Sequence, residues 1–139
     1  MRVTPYLFFN GDCEAAFTRY QEVLGGHVMA MMRHAGSPAE EQVPVAWKDK
    51  ILHACLEVDG LHIMGSDAPP GRFEQPQGFS VNLMMRSVEE AERVFAGLSE
   101  GATITMPLQK TFWAERFGML TDRFGIPWMV NLSPEDCTP

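Results

Sequence analysis

Short runs of alternating apolar and polar residues predict strands along this chain, and two amphipathic helical stretches interrupt them. In the first half, Asp12 precedes a helix that ends at Gly25, because Asp favours a helix start and Gly a helix end. Strands are predicted around this helix at residues 3–9, 27–34, 51–58 and 61–66. Residues 35–50, which contain several Gly and Pro residues, are predicted to form a long irregular excursion.

The second half predicts the same order of elements. Ser87 caps a helix, Glu90 stands where a capping box requires a carboxylate, and Gly101 ends the helix. Strands are predicted at residues 78–85, 102–110, 117–121 and 126–132. The last two strands flank a turn in which Gly125 can adopt a positive φ.

A residue-by-residue comparison of the two halves indicates a duplication. A spacing of 75 positions relates pairs in and around the helices: Asp12 and Ser87, Ala16 and Ala91, Tyr20 and Phe95, Gly26 and Gly101. A spacing of 65 positions relates pairs in the later strands: Gly60 and Gly125, Ile63 and Trp128, Met64 and Met129. Each half is therefore predicted to be one β-α-β-β-β module, residues 3–66 and 78–132, within a single domain of residues 1–139.

The dipeptide Asp59-Gly60 predicts a two-residue hairpin, which fixes the register of the strands on either side. The apolar side of these strands is expected to meet the helix: Leu52, Ala54, Leu56, Val58, Leu61 and Ile63. The other side is expected to be the concave face of the sheet: His53, Cys55, Glu57, His62, Met64 and Ser66. The same alternation adds residues of the opening strands to the concave faces: Pro5, Leu7 and Phe9 in the first module, and Ser80, Asn82 and Met84 in the second.

The composition is that of a globular protein, with 45% hydrophobic and 21% charged residues. A net charge of −7 argues against binding to nucleic acid or to an anionic membrane. No apolar run is long enough to span a bilayer, and no secretory signal is visible at the N-terminus. Cys13, Cys55 and Cys137 are too scattered for a disulfide framework, so we expect reduced thiols and a cytoplasmic protein.

Three motifs carry a resemblance to a known family: YLFFNGDCEAAFTRYQEVLGG, MGSDAPPG and TMPLQKTFWAERFGMLTDRFGIPWMVN. Together they resemble the PhnB-like group of the vicinal-oxygen-chelate superfamily, which includes glyoxalase I, bleomycin-resistance proteins and extradiol dioxygenases. The resemblance covers nearly the whole chain. It implies an α+β fold in which paired β-α-β-β-β modules form a curved mixed sheet with outer helices, and it implies a homodimer.

The resemblance also bears on metals and cofactors. Metal-dependent members of the superfamily hold a divalent ion with four side chains, and the corresponding positions here are Pro5, Met64, Ser80 and Met129. None of these is a histidine or a carboxylate, so we expect no metal at the usual site. Some relatives are described as demethylubiquinone methyltransferases, but the chain has no glycine-rich strand-to-helix loop for an adenosyl cofactor, and we expect no cofactor.

Candidate catalytic residues lie on the predicted concave face: His53, Glu57 and His62. Glu57 and His62 could pair as a general base with its orienting group, or belong to a relocated metal site. They could equally line a wet sheet surface or a dimer contact. Cys55 would need a lowered pKa to act as a nucleophile, and a small buried thiol is the simpler interpretation.

Eleven residues are candidates for contact with a ligand: Trp47, Cys55, Met64, Ser66, Asp67, Ser80, Asn82, Gln109, Trp113, Phe117 and Met129. Asp67 either orients a ligand or forms an Asx-turn, and Gln109 either orients a ligand or is plain surface. Trp128 is assigned to the core because it aligns with Ile63 on the apolar side. These observations predict a protein that binds a small organic ligand without the usual metal site. The alternative is a lyase, isomerase or dioxygenase of the same superfamily, either metal-dependent or metal-free.

Overall fold

The structure is a computed structural model that describes residues 1–133, so Cys137 lies outside the described residues. The chain divides into two compact units between Gln75 and Pro76. The first unit contains β1 (Tyr6–Phe9), α1 (Cys13–Leu24), β2 (His27–Arg33), β3 (Ile51–Val58) and β4 (Leu61–Asp67). The second contains β5 (Val81–Met84), α2 (Val88–Ser99), β6 (Thr103–Gln109), β7 (Arg116–Thr121) and β8 (Pro127–Leu132). The predicted α+β fold class of paired β-α-β-β-β modules is thereby confirmed.

The first unit has a mixed four-stranded sheet in the order β1-β4-β3-β2, in which β1 runs parallel to β4. Asp59 and Gly60 both adopt positive φ, at 50° and 80°, as a two-residue hairpin turn requires. Val58 therefore lies opposite Leu61 and Glu57 opposite His62, which confirms the predicted register. The excursion between β2 and β3 contains only two short 3-10 helices, Glu40–Gln42 and Val45–Trp47.

Helix α1 covers one side of the first sheet. The ring centroid of Phe9 lies 6.0 Å from that of Phe17 and 6.5 Å from that of Tyr20, and all three side chains are fully buried. Gly65 lies so close to the helix that a Cβ at this position would stand 2.9 Å from Phe17. The apolar pattern predicted Leu61 in this core, and that prediction is wrong: Leu61 lies beside the hairpin turn and is 74% exposed.

The face of β1 is the main correction to the predicted arrangement. Leu7 and Phe9 point to the helix and are buried, whereas Tyr6 and Phe8 are 40% and 51% exposed on the opposite side of the sheet. Tyr6 lies beside Met64, which has the same orientation in the neighbouring parallel strand. The predicted placement of Pro5, Leu7 and Phe9 on the concave face was therefore wrong. Leu7 and Phe9 face the helix, and Pro5, two positions before Leu7, has the same orientation by alternation.

The second unit repeats this architecture with the order β5-β8-β7-β6. Ser87 Oγ accepts a hydrogen bond from Glu90 N at 3.1 Å, and the Glu90 carboxylate accepts one from Arg86 N at 2.9 Å. The predicted cap is thus confirmed, with the Glu90 carboxylate bonded one residue earlier than in a standard capping box. A Cβ on Gly118 would meet Phe95 of α2, and Trp128 is fully buried, as predicted.

Each sheet leaves its other side uncovered by the helix of its own unit, and we call this side the open face. The open face of the first sheet comprises Tyr6, Phe8, His53, Cys55, Glu57, His62, Met64 and Ser66. The open face of the second sheet comprises Asn82, Met84, Met106, Gln109, Phe117, Met119, Met129 and Asn131. Within the described part of the chain, neither helix is long and apolar enough to cross a membrane.

Candidate functional site

Tyr6 and His53 form the best-defined polar contact on the open face of the first sheet. Tyr6 Oη lies 3.3 Å from His53 Nδ1, within hydrogen-bond distance, and the two rings stack with centroids 5.9 Å apart. The Phe8 ring centroid lies 5.2 Å from that of Tyr6. Three rings thus line one end of this open face, and the phenol and imidazole groups among them can exchange a hydrogen bond with a ligand.

The middle of the same face pairs Cys55 with Met64, and Ser66 pairs with Phe8 at the next position. Cys55 is 7% exposed, and burial raises the pKa of its thiol. The positive charge of Arg2 opposes this increase in pKa, and the charge of Glu57 adds to it. Because the thiolate is the nucleophilic form, the raised pKa favours an inert thiol in the floor of the face.

The other candidate catalytic residues lie at the opposite end of this face. Glu57 is flanked by His62 on β4 and by His27 on β2. His53 is four positions away from Glu57 on β3, about 13 Å at the rise of a strand. The structure therefore brings Glu57 and His62 together and separates both from His53. His62 also lines a cleft of about 180 Å³ together with Arg2, Val3, Thr4, Gly60 and Leu61.

Asp67 lies on the helix side of the sheet rather than on the open face. Its Oδ1 accepts a hydrogen bond from Cys13 N at 3.0 Å, and its Oδ2 accepts one from Ile51 N at 2.8 Å. The buried carboxylate thus satisfies the first turn of α1 and the start of β3. Asp12 occupies the N-cap position, as predicted, but makes no side-chain capping bond.

Trp47 lies in the excursion, against the turn that precedes α1. Its ring edge would stand 3.5 Å from a Cβ on Gly11, and Lys50 Nζ lies 5.9 Å from its centroid. Lys50 also donates a hydrogen bond to the carbonyl oxygen of Gly11 at 2.8 Å. These contacts attach the excursion, and Trp47 with it, to the β1–α1 turn.

The open face of the second sheet is rich in methionine. Met129, Met119 and Met106 lie side by side on β8, β7 and β6, and Asn82 continues this row onto β5. The next row consists of Met84, Asn131, Phe117 and Gln109. Four of the predicted ligand residues thus fall on this face in direct register: Asn82, Gln109, Phe117 and Met129.

Aromatic rings border the methionine row. The Trp113 centroid lies 5.5 Å from Phe117 and 4.7 Å from Phe112, in edge-to-face contacts. Phe117 is buried, Trp113 is 46% exposed and Phe112 is 97% exposed. Ser80 precedes β5 two positions before Asn82 and is half-buried. The rings extend the apolar surface from the sheet into the loop between β6 and β7.

The superfamily's usual metal site can be tested against the donor atoms that each unit offers. Tyr6 lies beside Met64 as Asn82 lies beside Met129, so Tyr6 and Asn82 are equivalent positions. Ser80 is two positions before Asn82, and its equivalent in the first unit is therefore Thr4, two positions before Tyr6, and not Pro5. The four positions then offer two hydroxyls and two thioethers, which do not fit a hard divalent ion. No group of three or more histidine, cysteine or acidic side chains among residues 1–133 could hold a metal ion.

Four residues of the open faces were not singled out from the sequence: Tyr6, Phe8, Met106 and Met119. Neither was His27, which lies on β2 beside Glu57. A signal was present for Tyr6, since a tyrosine in an otherwise apolar strand often directs its hydroxyl toward a polar partner. No signal in the sequence distinguishes His27, whose role as a neighbour of Glu57 depends on the pairing of β2 with β3.

A sequence model of the family described as 3-demethylubiquinone-9 3-methyltransferase matches residues 1–131. Protein YjdN of Escherichia coli strain K12 is 36% identical over 146 residues, which cover 99% of this chain and 99% of YjdN. Among solved structures, protein PA1353 from Pseudomonas aeruginosa is 47% identical with a TM-score of 0.88, covering 96% of this chain and 98% of its own.

Two more distant structures show the fold alone. The putative 3-demethylubiquinone-9 3-methyltransferase PhnB from Bacillus cereus has a TM-score of 0.80 at 23% identity, over 96% of this chain and 100% of its own. The fosfomycin resistance protein FosX from Listeria monocytogenes has a TM-score of 0.67 at 9% identity, over 97% of this chain and 94% of its own. These similarities confirm the predicted vicinal-oxygen-chelate fold.

Proposed function

The chain belongs to the PhnB-like family described as 3-demethylubiquinone-9 3-methyltransferase, and on that basis we propose that it binds a small, mainly apolar organic molecule on the open faces of its sheets. The fold is one that FosX uses with a small molecule, since that structure is a complex with Mn(II) and 1S,2S-dihydroxypropylphosphonic acid. The metal in that complex has no matching donor set here, so the proposal is a metal-independent ligand site.

The observation that carries this proposal is the row of Met106, Met119 and Met129 across three neighbouring strands. Methionine side chains are unbranched and polarisable, so they adapt to ligands of irregular shape. Phe117 and Trp113 add rigid aromatic area at the border of this row. Apolar lining with a few hydrogen-bonding groups is the usual composition of a small-molecule site.

Methyl transfer, which the family description names, is not part of the proposal. The two strand-to-helix connections are Asn10-Gly11-Asp12 and Met85-Arg86-Ser87. Neither contains the repeated glycines that allow a backbone to approach a nucleotide cofactor closely. The geometry supports binding of a ligand at the sheet faces better than binding of an adenosyl group at a helix N-terminus.

A thermal-shift screen of aromatic metabolites and aromatic antibiotics, followed by calorimetry of the hits, tests this proposal. We expect at least one hit whose affinity falls by tenfold or more in Met119→Asp, because a charge in the methionine row is poorly solvated once a ligand covers it. Val45→Asp serves as the control, since Val45 is 81% exposed in the excursion between β2 and β3. Hits that bind both variants equally would contradict a site on this face.

Calorimetry with Mn²⁺, Ni²⁺, Zn²⁺ and Fe²⁺ tests the metal-independent part of the proposal. We expect no tight stoichiometric binding, because hydroxyls and thioethers at the four usual positions are poor ligands for these ions. Tight binding that His53→Ala or Glu57→Ala abolishes would overturn this part and indicate a relocated metal site.

The contact between Tyr6 and His53 favours a second candidate function, a metal-free lyase or isomerase. An imidazole whose Nδ1 is held by a phenol can use Nε2 to move a proton on a ligand, in the manner of a general acid or base. Mass spectrometry of metabolite mixtures before and after incubation would reveal turnover. We expect turnover, if this function holds, to disappear in His53→Gln. Turnover that persists in this variant would exclude His53 as the catalytic residue.

We also propose that the protein acts as a cytoplasmic homodimer. The nearly complete exposure of Phe112 supports an interface, because a large apolar side chain in this position is stabilised by a partner surface. Cys13 and Cys55 are free thiols, which suits a reducing compartment. Light scattering on wild type and on Phe112→Ser tests the dimer. We expect the mass of a dimer for the wild type and a weaker dimer for Phe112→Ser, and a monomeric wild type would contradict the proposal.

A further inference from the structure

Asn131 has a buried side-chain acceptor that nothing in the described part of the chain satisfies. Its Oδ1 is inaccessible to solvent and has no hydrogen-bond partner among residues 1–133. A buried acceptor without a donor loses its hydrogen bond to water and gains none in return, so native structures contain few of them. Each such atom requires an explanation, and a ligand that supplies the missing donor is one of the few available.

The position of Asn131 distinguishes it from other orphaned atoms. Trp47 Nε1 and His34 Nδ1 are also buried without a partner in the described residues, but they lie in or beside the excursion between β2 and β3. Asn131 lies instead on the open face of the second sheet, because the flanking Val130 is fully buried on the helix side. The unsatisfied oxygen is therefore in the face that the proposed function assigns to a ligand.

The neighbours of Asn131 restrict what can satisfy it. Met84 on β5 and Phe117 on β7 are its direct partners in register, and neither side chain has a hydrogen-bond donor. The thioether of Met84 already accepts a contact from the Asn82 amide at 3.2 Å. A donor for Asn131 must therefore come from a group other than its two partners in register. It reaches the inaccessible oxygen when a flexible neighbouring side chain such as Met84 shifts aside.

We propose that Asn131 is a specificity-determining residue, which accepts a hydrogen bond from a hydroxyl or N–H group on a mainly apolar ligand. This inference rests on the proposed function and narrows the class of ligand to apolar molecules that carry a hydrogen-bond donor. A ligand of the same shape that only accepts hydrogen bonds leaves the Asn131 oxygen unsatisfied and binds less tightly.

The first arm of the test needs no ligand. Asn131→Leu replaces the amide with an apolar side chain of similar shape, and we expect the melting temperature to stay the same or rise by about 2–5 °C, because an unsatisfied buried acceptor is removed. Asn10→Leu is the matched control for the exchange itself, since Asn10 is exposed in the turn after β1. A larger loss of stability in Asn131→Leu than in Asn10→Leu would overturn the inference, since the amide would then be satisfied in the free protein.

The second arm compares 2-naphthol with 2-methoxynaphthalene, which have the same ring system but differ in that only the hydroxyl can donate. By calorimetry or NMR titration, we expect 2-naphthol to bind the wild type at least about fivefold more tightly, and this preference to vanish in Asn131→Leu. Equal binding of the two compounds would overturn the inference and leave the proposed function standing. Failure of both to bind would count against the proposed function itself, and the inference that rests on it would fall with it.

Discussion

Trp128 and Asp122 form a buried polar pair beneath the second sheet, in which the indole Nε1 donates a hydrogen bond to Asp122 Oδ2 at 2.8 Å. Trp128 is fully buried and Asp122 is 6% exposed. Asp122 Oδ1 accepts two further bonds, from Phe124 N and Ile126 N, each at 2.9 Å. A single carboxylate therefore closes the β7–β8 turn and anchors the largest side chain of this core.

Asp122→Asn should destabilise the protein by roughly 1–3 kcal/mol, because the amide nitrogen would face the indole N–H, leaving two donors opposed. In a Trp128→Phe background the same substitution should have a smaller effect, since the indole N–H is gone. Denaturant unfolding of the four proteins in this cycle measures the coupling. Asp49→Asn, an exposed carboxylate in the excursion, is the control. Equal effects of Asp122→Asn in both backgrounds would show that the indole bond contributes nothing.

Asp67→Ala should lower the free energy of unfolding by about 2–4 kcal/mol, because it leaves the N–H groups of Cys13 and Ile51 buried without an acceptor. Asp12→Ala should have a smaller effect, since the Asp12 side chain makes no capping bond to the helix. Chemical denaturation measures both. We expect the affinity for a ligand of the open face to remain unchanged in Asp67→Ala under conditions where the variant is folded. A loss of affinity in a fully folded variant would restore Asp67 as a ligand residue.

Features with local determinants could be predicted from the sequence. The β3–β4 hairpin depends on two adjacent residues that tolerate positive φ, Asp59 and Gly60, and its register follows from them. The start of α2 depends on Ser87 and Glu90, three positions apart. In each case the stabilising contact joins residues that are close in the chain, so the sequence pattern contains the information.

The face of β1 could not be predicted because Tyr6–Phe9 has no alternation of polar and apolar residues. Its orientation is set by parallel pairing with β4, where Tyr6 lies beside Met64, 58 positions later. The helices of the two halves are related by a spacing of 75 positions. In the opening strands Tyr6 pairs with Met64 as Asn82 pairs with Met129, so Tyr6 is equivalent to Asn82, 76 positions later. One residue of slippage exchanges the two faces of a strand.

The candidate site could be predicted only in part, because alternation along a strand is local whereas contacts between elements are not. Alternation placed Cys55, Met64 and Met129 on the open faces, where the structure has them. Asp67 was expected at a loop border, but its partner Cys13 is 54 positions earlier in the chain. Such partners emerge only when distant elements pack, because nothing in the neighbouring residues records them.

The ion pair between Glu14 and Arg33 should make a pH-dependent contribution to stability. Arg33 donates two hydrogen bonds to the Glu14 carboxylate, at 2.6 Å and 3.1 Å, and these bonds lower the pKa of Glu14. Because the folded pKa is lower than the unfolded one, the stabilisation is present above about pH 4.3, the ordinary value, and is lost as the pH falls through the folded pKa.

Melting temperatures of wild type and Glu14→Gln across this range test the ion pair. We expect the wild type to melt about 1–2 °C higher at neutral pH and low salt, because the pair is exposed and only weakly stabilising. The difference should shrink in acid and in high salt. Glu41→Gln, at an exposed position of the excursion, is the control. A difference that is independent of pH would assign the effect to something other than the charge of Glu14.

Cys55 should report directly on occupancy of the open face of the first sheet. Burial raises the pKa of both Cys13 and Cys55, and Cys13 is completely inaccessible, so alkylation of either in the native protein requires opening of the structure. In a Cys137→Ser background treated with iodoacetamide, peptide mass spectrometry should show both thiols reacting far more slowly than in urea. A ligand that covers the first open face should slow labelling of Cys55 by more than it slows labelling of Cys13, because only Cys55 lies on that face. Equal slowing of both thiols would indicate global stabilisation by a ligand bound elsewhere. Fast labelling of Cys55 in the free protein would contradict an inert thiol and restore Cys55 as a candidate nucleophile.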